Sequence, residues 1–200
     1  MSKVMTIQDL EALYDTPSEK SVQKVFDHIT PKYHDWISAS RFVVLTTVGP
    51  EGTDSSPRGD VDPVVRIQDK KTLLLPDWRG NNRLDSLRNI VTDGRTSLMF
   101  MVTGSATVVR VNGQSSLSID PALLQSFEQN SMHPKSVIVT KVGEVYFQCA
   151  KAIMRSNLWN GENLKDAVPS AGDFIKEFKA DADAQAYDDG YAEYASKRMW

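Results

Sequence analysis

The chain has 200 residues, of which 40% are hydrophobic and 24% charged, and its formal net charge is −3. This length predicts one domain with a substantial core, and the slightly acidic balance argues against a nucleic-acid-binding protein, which would carry a basic excess. The one cysteine, Cys149, excludes an internal disulfide and suits a reducing cytoplasm. Neither a signal-peptide type of segment nor an apolar run of about 18 residues occurs, so export and a membrane span are not predicted.

The N-terminal part predicts two helices. A short helix is expected over Ile7 to Tyr14. A second begins with Thr16 as its N-cap and Pro17 in its first position, and apolar residues then recur at helical spacing as far as Ile29. Pro31 is expected to end this pair. We assign residues 1–37 to an N-terminal helical extension.

From Arg41 the pattern changes to short apolar or alternating runs separated by turn residues, which predicts an antiparallel barrel or sandwich. The segment from Ser55 to Asp60 has the proline, glycine and small hydroxyl residues of a turn or a bulged edge strand. The predicted strands are Phe42 to Val48, Val64 to Ile67, Thr72 to Leu75, Thr96 to Val102, Ala106 to Val111, Val137 to Thr140 and Val145 to Ile153.

Three further helical segments are expected. One runs from Asn82 to Val91, with an apolar stripe of Leu84, Leu87 and Val91, and another follows Asp120-Pro121. The third covers 170–200, with Phe174, Ile175 and Phe178 facing inward and with sparse apolar residues after Ala180. This tail is expected either to pack on a partner subunit or to fray.

The polar turn from Arg79 to Arg83, which opens the helix at Asn82, predicts an anion site. Unpaired backbone N–H groups and the helix dipole favour a phosphate there, Arg79 and Arg83 flank the position, and Gly80 allows close approach. The alternative is that Asn82 only caps the helix and that the arginines are solvated.

Two other clusters carry cations. Arg58 beside the Asn82 helix start would complete a bidentate phosphate clamp, or it is a surface arginine paired with Asp54 or Asp60. Lys151 and Arg155 alternate with apolar residues in a predicted strand that precedes Trp159, an arrangement typical of the rim around a planar anionic ligand or of a charged strand edge. Cys149 is expected to be a small packing residue of the same strand.

Other chemistries have little support in the sequence. The three histidines are isolated, no paired-cysteine spacing exists, and no Gly-x-Ser-x-Gly motif is present. We therefore predict neither a metal site nor a nucleophilic catalytic residue.

Three segments together resemble the pyridoxamine 5'-phosphate oxidase-like flavoproteins. They are the Ser-Pro-Arg-Gly-Asp segment (56–60), the Leu-Leu-Leu-Pro-Asp…Gly-Asn-Asn-Arg-Leu-Asp-Ser-Leu-Arg-Asn segment (73–89) and the Cys-Ala-Lys-Ala…Arg-Ser…Leu-Trp segment (149–159). The resemblance covers about residues 38 to 180. It implies a mainly β fold with flanking helices (α+β), a six-stranded antiparallel split β-barrel over 38–169 and a C-terminal helical segment over 170–200. It also implies a homodimer that binds FMN at the subunit interface.

The resemblance assigns roles to individual residues. It places Arg58, Asn82, Arg83 and Ser86 in the FMN phosphate clamp, and Leu75, Pro76 and Asp77 at the strand end that lies along the flavin. It places Lys151, Arg155 and Trp159 on a rim supplied by the second subunit.

The C-terminus departs from the oxidases proper. Those enzymes end in an Arg-x-Trp type of segment that binds the vitamin phosphate, whereas this chain ends in Lys197-Arg198-Met199-Trp200. The expected function is therefore an FMN-dependent oxidoreductase acting in the cytoplasm on an unidentified small molecule, with NADH or NADPH as a candidate electron donor. The alternative is a non-catalytic flavin carrier or sensor. Haem and a deazaflavin are the other ligands considered, and the isolated histidines argue against haem.

Overall fold

The computed structural model describes residues 3–4 and 6–200, so residues 1, 2 and 5 of the predicted N-terminal extension lie outside the described part. The strands are β1 (Phe42–Gly49), β2 (Gly52–Gly59), β3 (Arg66–Asp69), β4 (Thr72–Asp77), β5 (Arg95–Met101), β6 (Val108–Ser118) and β7 (Ser136–Gln148). The helices are α1 (Ile7–Glu11), α2 (Glu19–Gln23), α3 (Pro31–Ala39), α4 (Asp85–Thr92), α5 (Pro121–Gln125), α6 (Lys151–Ser156), α7 (Ala171–Phe178) and α8 (Ala184–Ser196).

The strands form one antiparallel sheet in the order β2-β1-β5-β6-β7-β4-β3, which makes the chain mainly β with flanking helices. The sheet has seven strands, so the expected number of six is wrong for the described chain. The strand that the apolar runs did not predict is β2, which contains Arg58 and pairs with β1 along its whole length, so the segment from Ser55 belongs to an edge strand and not to a turn. β2 is an edge strand of the sheet. An edge strand leaves one row of N–H groups outside the sheet, so it accommodates Pro57, which has no N–H.

The two strands expected at 137–140 and 145–153 are one strand, β7. The predicted break between them is a bulge: Val142 pairs with Gly113 and Glu144 with Asn112, which leaves Gly143 without a partner. A Cβ on Gly113 would lie 2.0 Å from the carbonyl oxygen of Lys141, so this close approach of two backbones requires glycine.

The end of β7 also differs from the expectation. The strand ends at Gln148 because Gln148 pairs with Val108, the first residue of β6, and in the described chain no partner strand continues beyond it. The chain then turns into α6, so Lys151 and Arg155 lie on a helix rather than on a strand. Cys149 is exposed and is not the packing residue that we expected.

The N-terminal helices are shorter than predicted. The helix expected from Thr16 begins at Glu19 with Ser18 as its N-cap and ends at Gln23. It stops there because Phe26 forms a backbone bridge with Val145 of β7, which holds this part of the chain extended. Pro31 begins a helix instead of ending one: it occupies the first turn of α3.

The core lies between the sheet and α3 and α4, and one side of α3 contributes Tyr33 and Ile37 to it. The C-terminal segment is helical, but Phe174 and Phe178 are 56% and 79% exposed, so they do not face inward as expected. None of the described helices combines the length and the apolar content that crossing a bilayer requires. The remaining core residues are mostly aliphatic side chains of β1, β4, β5, β6 and β7, namely Val43, Leu45, Leu73, Leu75, Leu98, Phe100, Val109, Val111, Ile138, Val142 and Val145.

Candidate functional site

A cavity of about 840 Å³ lies where edge strand β2, the end of β4 and the first turn of α4 meet. The loop between β4 and α4 forms much of its wall. Seven of the ten predicted site residues line it: Arg58, Leu75, Pro76, Asp77, Asn82, Arg83 and Ser86. The two segments of the sequence that were expected to form a phosphate clamp are therefore brought together by the fold.

A continuous chain of polar side chains crosses one wall of the cavity. Arg58 donates from Nη1 to Asp77 at 2.5 Å and from Nε to the hydroxyl oxygen of Ser56 at 3.2 Å. The Ser56 and Ser86 hydroxyl oxygens are 3.1 Å apart, and Ser86 donates to the carboxylate of Asp54. These contacts tie β4, β2 and α4 to one another. They also fix the position of the Arg58 guanidinium, whose side chain is only 22% exposed.

The helix start at the cavity differs from the prediction. Helix α4 begins at Asp85, three residues after Asn82, and Leu84 is its N-cap. Asn82 and Leu84 have φ of 61° and 59°, and this left-handed backbone turns the loop sharply before the helix. The first intrahelical bond runs from the Arg88 N–H to the Leu84 carbonyl, so the N–H groups of residues 85–87 have no acceptor within the helix.

The apolar stripe predicted for this helix is confirmed only at Leu87, which packs against the core. Leu84 and Val91 are 46% and 73% exposed, whereas Ser86 and Ile90 are the buried residues of α4. Ser86 faces inward because it belongs to the polar chain described above. The inward face of α4 thus combines the polar Ser86 with Leu87 and Ile90, which pack against the core.

The cavity is lined by as many cationic as anionic side chains, and only some of the cations form ion pairs. Arg58 pairs with Asp77, and the guanidinium of Arg83, which is 80% exposed, pairs with Asp85. Arg79 and Lys135 also line the cavity, and within the described chain neither forms an ion pair. An anion in this cavity would therefore meet four cations, two of which are already held in place.

The three predicted rim residues do not reach this cavity within one chain. Lys151 and Arg155 are exposed on α6, and the indole N–H of Trp159 donates to the carbonyl oxygen of Ser105 at 2.7 Å. Their assignment to a rim supplied by a second subunit stays a prediction.

Several lining residues were not assigned to the site from the sequence. Asp60 accepts hydrogen bonds from the Trp78 indole at 3.0 Å and from the Gln129 amide, and both Asp60 and Trp78 line the cavity. Lys135 immediately precedes β7, beside the strand end that carries Asp77. Tyr191 lines the cavity from α8. The spacing of the three tyrosines in the C-terminal segment, which puts them on one helix face, was the signal that could have identified it.

Metal chemistry has no structural support in the described residues, because no group of three or more histidine, cysteine, aspartate or glutamate side chains is arranged to hold an ion.

Comparisons with known proteins found similar solved structures and one matching family. Among solved structures, HupZ from Group A Streptococcus is 19% identical, with a TM-score of 0.48 over 58% of this chain and 91% of that one. A Lactobacillus delbrueckii protein provisionally named a pyridoxamine 5'-phosphate oxidase is 18% identical, with a TM-score of 0.49 over 60% of this chain and 95% of that one. An FMN-binding protein from Syntrophomonas wolfei is 16% identical, with a TM-score of 0.42 over 58% of this chain and 80% of that one.

A comparison with curated protein sequences gave no match. The sequence model described as pyridoxamine 5'-phosphate oxidase matches residues 29–149, which is more than half of the chain and includes β1 to β7. The chain belongs to the pyridoxamine 5'-phosphate oxidase family.

Proposed function

We propose that the protein is an FMN-binding flavoprotein whose cofactor occupies the cavity between β2, β4 and α4. The observation that carries the proposal is that one cavity gathers seven predicted cofactor residues from segments that are far apart in the sequence. Its volume of about 840 Å³ lies within the range of roughly 300–1,000 Å³ that is typical of small-molecule sites. The donor set suits a dianionic phosphate, because it combines guanidinium groups, hydroxyls and unpaired backbone N–H groups.

Each part of the site has a distinct task in this proposal. The phosphate is held by Arg58, Ser86 and the N–H groups at the start of α4, with Asn82 and Arg83 closing the loop side. The end of β4, from Leu75 to Asp77, lies along the ring system. Leu75 and Pro76 are buried and held by pairing with β7, so this wall is rigid. When bound, the flavin supplies hydride or electron transfer, while the protein supplies binding and orientation.

We infer that the protein is an oxidoreductase acting on a small molecule, with NADH or NADPH as the donor to be tested first. One observation favours the alternative of a flavin carrier or sensor. The four carboxylates of the cavity already accept hydrogen bonds from other side chains: Asp54 from Ser86, Asp60 from Trp78, Asp77 from Arg58 and Asp85 from Arg83. Within the described chain, each of the four is thus already engaged by another side chain.

Two measurements separate these functions. Titration of FMN with the protein, followed by flavin fluorescence, tests cofactor binding, and absence of saturable binding contradicts both functions. Anaerobic mixing of the loaded protein with NADH or NADPH in a stopped-flow instrument then tests reduction. Bleaching of the flavin absorption band supports an oxidoreductase, and a spectrum that stays oxidised supports the carrier or sensor.

We further propose that the protein works as a homodimer in the cytoplasm, with a split β-barrel as the scaffold of each subunit. Support comes from apolar rings left at the surface of one chain: Phe42 and Phe147 are 40% and 47% exposed. Light scattering at micromolar concentration tests this, and a folded monomer loaded with FMN contradicts it.

A second subunit would also decide the role of Lys151, Arg155 and Trp159. If they form the rim of the partner's cavity, Arg155→Ala changes turnover or substrate affinity and leaves FMN bound. Release of FMN from this variant would instead place Arg155 among the residues that hold the cofactor.

A further inference from the structure

The two C-terminal helices form a tightly closed hairpin. Ser170 caps α7 by reciprocal bonds with Asp173, and the backbone N–H of Gly172 donates to Asp188 of α8 at 3.0 Å. A Cβ on Gly172 would lie 2.4 Å from the carbonyl oxygen of Ala184, so the two helix backbones touch at this point. The hairpin therefore holds α8 in a defined position relative to α7.

A row of tyrosines runs along α8. The ring centroids of Tyr187 and Tyr191 are 5.9 Å apart, and those of Tyr191 and Tyr194 are 6.5 Å apart. The guanidinium of Arg198 lies 4.0 Å from the centroid of the Tyr194 ring. Because spacings of four and three residues place side chains on the same side of a helix, the three rings form one continuous aromatic face.

This aromatic face borders the cavity between β2, β4 and α4. Tyr191 and Met199 are both among its lining residues, together with the loop that precedes α4. Tyr191 is nevertheless 52% exposed, as is Met199. A large amphipathic ring that is half exposed at the wall of a cavity gains contact area when a ligand fills that cavity.

We propose that Tyr191, which lines the cavity from the α7–α8 hairpin, is a ligand-contacting residue that packs against a planar ring system and limits access to it. The proposal concerns the same cavity as the proposed function and rests on it in taking FMN as the planar ligand. Tyrosine suits this position because its ring packs well against a flat partner while its hydroxyl stays in water. Met199 adds a flexible apolar contact beside it.

The first test measures protection of bound FMN. In Tyr191→Leu we expect FMN to dissociate about 3- to 10-fold faster, the loss that corresponds to one aromatic pair. We also expect the slope of flavin fluorescence quenching against iodide concentration to be at least about twofold steeper than in the wild type, because the substitution opens one wall of the site. Tyr187→Leu is the matched control: it removes the next ring along the same helix, which does not line the cavity, and it should behave like the wild type.

If Tyr191→Leu shows the FMN dissociation rate and iodide quenching of the wild type, Tyr191 does not contact the ligand and the proposal is overturned. If both variants lose protection equally, the effect belongs to the helix as a whole, and the assignment to Tyr191 is also overturned.

The second test does not depend on FMN. Gly172→Ala introduces a methyl group where the backbone of α8 lies, whereas a Cβ on Gly190 of the same hairpin meets nothing within 4 Å. In the apoprotein, Gly172→Ala should speed hydrogen exchange of the loop from Trp78 to Leu84 by about threefold or more, and Gly190→Ala should not. Exchange in β7 reports whether the sheet stays folded.

The two tests separate the two claims. Wild-type protein that binds no FMN refutes the proposed function, and the exchange experiment still decides whether the hairpin covers the cavity. If the wild type binds FMN but loop exchange is identical in Gly172→Ala and Gly190→Ala, the proposed function stands. The claim that the hairpin covers the cavity is then overturned.

Discussion

Replacing Arg58 by methionine removes the central donor of the cavity and keeps an unbranched side chain in place of the aliphatic part of the arginine. In the wild type this guanidinium donates to Asp77 at 2.5 Å and to Ser56 at 3.2 Å, and the side chains of Arg58 and Asp77 are only 22% and 15% exposed. A hydrogen bond to a charged partner contributes roughly 1.5–3 kcal/mol, and removing one member of a shielded ion pair leaves the other poorly solvated. We therefore expect the free energy of unfolding to fall by about 2–3 kcal/mol.

The same substitution should weaken FMN binding. Loss of one charge-assisted phosphate contact corresponds to roughly 1–3 kcal/mol, which is about a 5- to 150-fold increase in the dissociation constant. Urea unfolding followed by tryptophan fluorescence measures the first effect, and flavin fluorescence titration measures the second. Arg88→Met is the matched control, because Arg88 is an exposed arginine of α4 that does not line the cavity.

A second substitution separates stability from binding. Asp77→Asn in the Arg58→Met background removes the unpaired carboxylate, so the double variant should be more stable than the sum of the single effects predicts, by about 1–2 kcal/mol. FMN affinity should stay low, since the phosphate donor is still missing. Additive losses of stability would show that the two side chains do not interact, and unchanged FMN affinity in Arg58→Met would remove Arg58 from the phosphate site.

Three further predictions concern other parts of the chain. Gly113→Ala places a Cβ 2.0 Å from the Lys141 carbonyl oxygen at the β7 bulge, and we expect a loss of about 1–3 kcal/mol in the urea-derived free energy of unfolding, with an unchanged value contradicting the close approach. Hydrogen bonds from Arg95 lower the pKa of Asp93 from 3.8 to about 2. Because the folded-state pKa lies below the unfolded one, this stabilisation is present above pH 4 and lost as the pH falls towards about 2. Asp93→Asn should therefore have a lower urea midpoint than the wild type at pH 7, and the two midpoints should converge near pH 2. Equal midpoints at pH 7 would show that the Asp93–Arg95 contact does not stabilise the fold. Arg83→Ala should weaken FMN by about 2- to 10-fold, less than Arg58→Met because its guanidinium is exposed, and a titration identical to that of the wild type would exclude it from the anion site.

Local patterns in the sequence were sufficient for several elements. The alternating run from Phe42 predicted β1 to within one residue, and Asp120-Pro121 correctly marked the start of α5, where Asp120 accepts from the N–H of Leu123. These signals work because burial of alternate side chains and capping of a first turn depend on neighbours along the chain.

Other elements depended on partners distant in the sequence. Apolar spacing continued the helix begun near Thr16 as far as Ile29, but the backbone pairing of Phe26 with Val145 ended it early. Apolar residues after Val145 extended the last strand to Ile153, but the strand ends where its partner β6 begins. In both cases a hydrogen bond to a remote strand outweighed the local pattern.

By itself, the sequence determined the family, most of the strands and the identity of seven residues that meet at one cavity, because these depend on motifs and on local burial patterns. Only the tertiary structure decided that α4 begins at Asp85, that Lys151 and Arg155 lie on a helix outside that cavity, and that Tyr191 completes its wall. The reason is that a helix start, a strand end and a cavity wall are set by contacts between segments far apart in the chain, and such contacts leave no periodic signal in either segment alone.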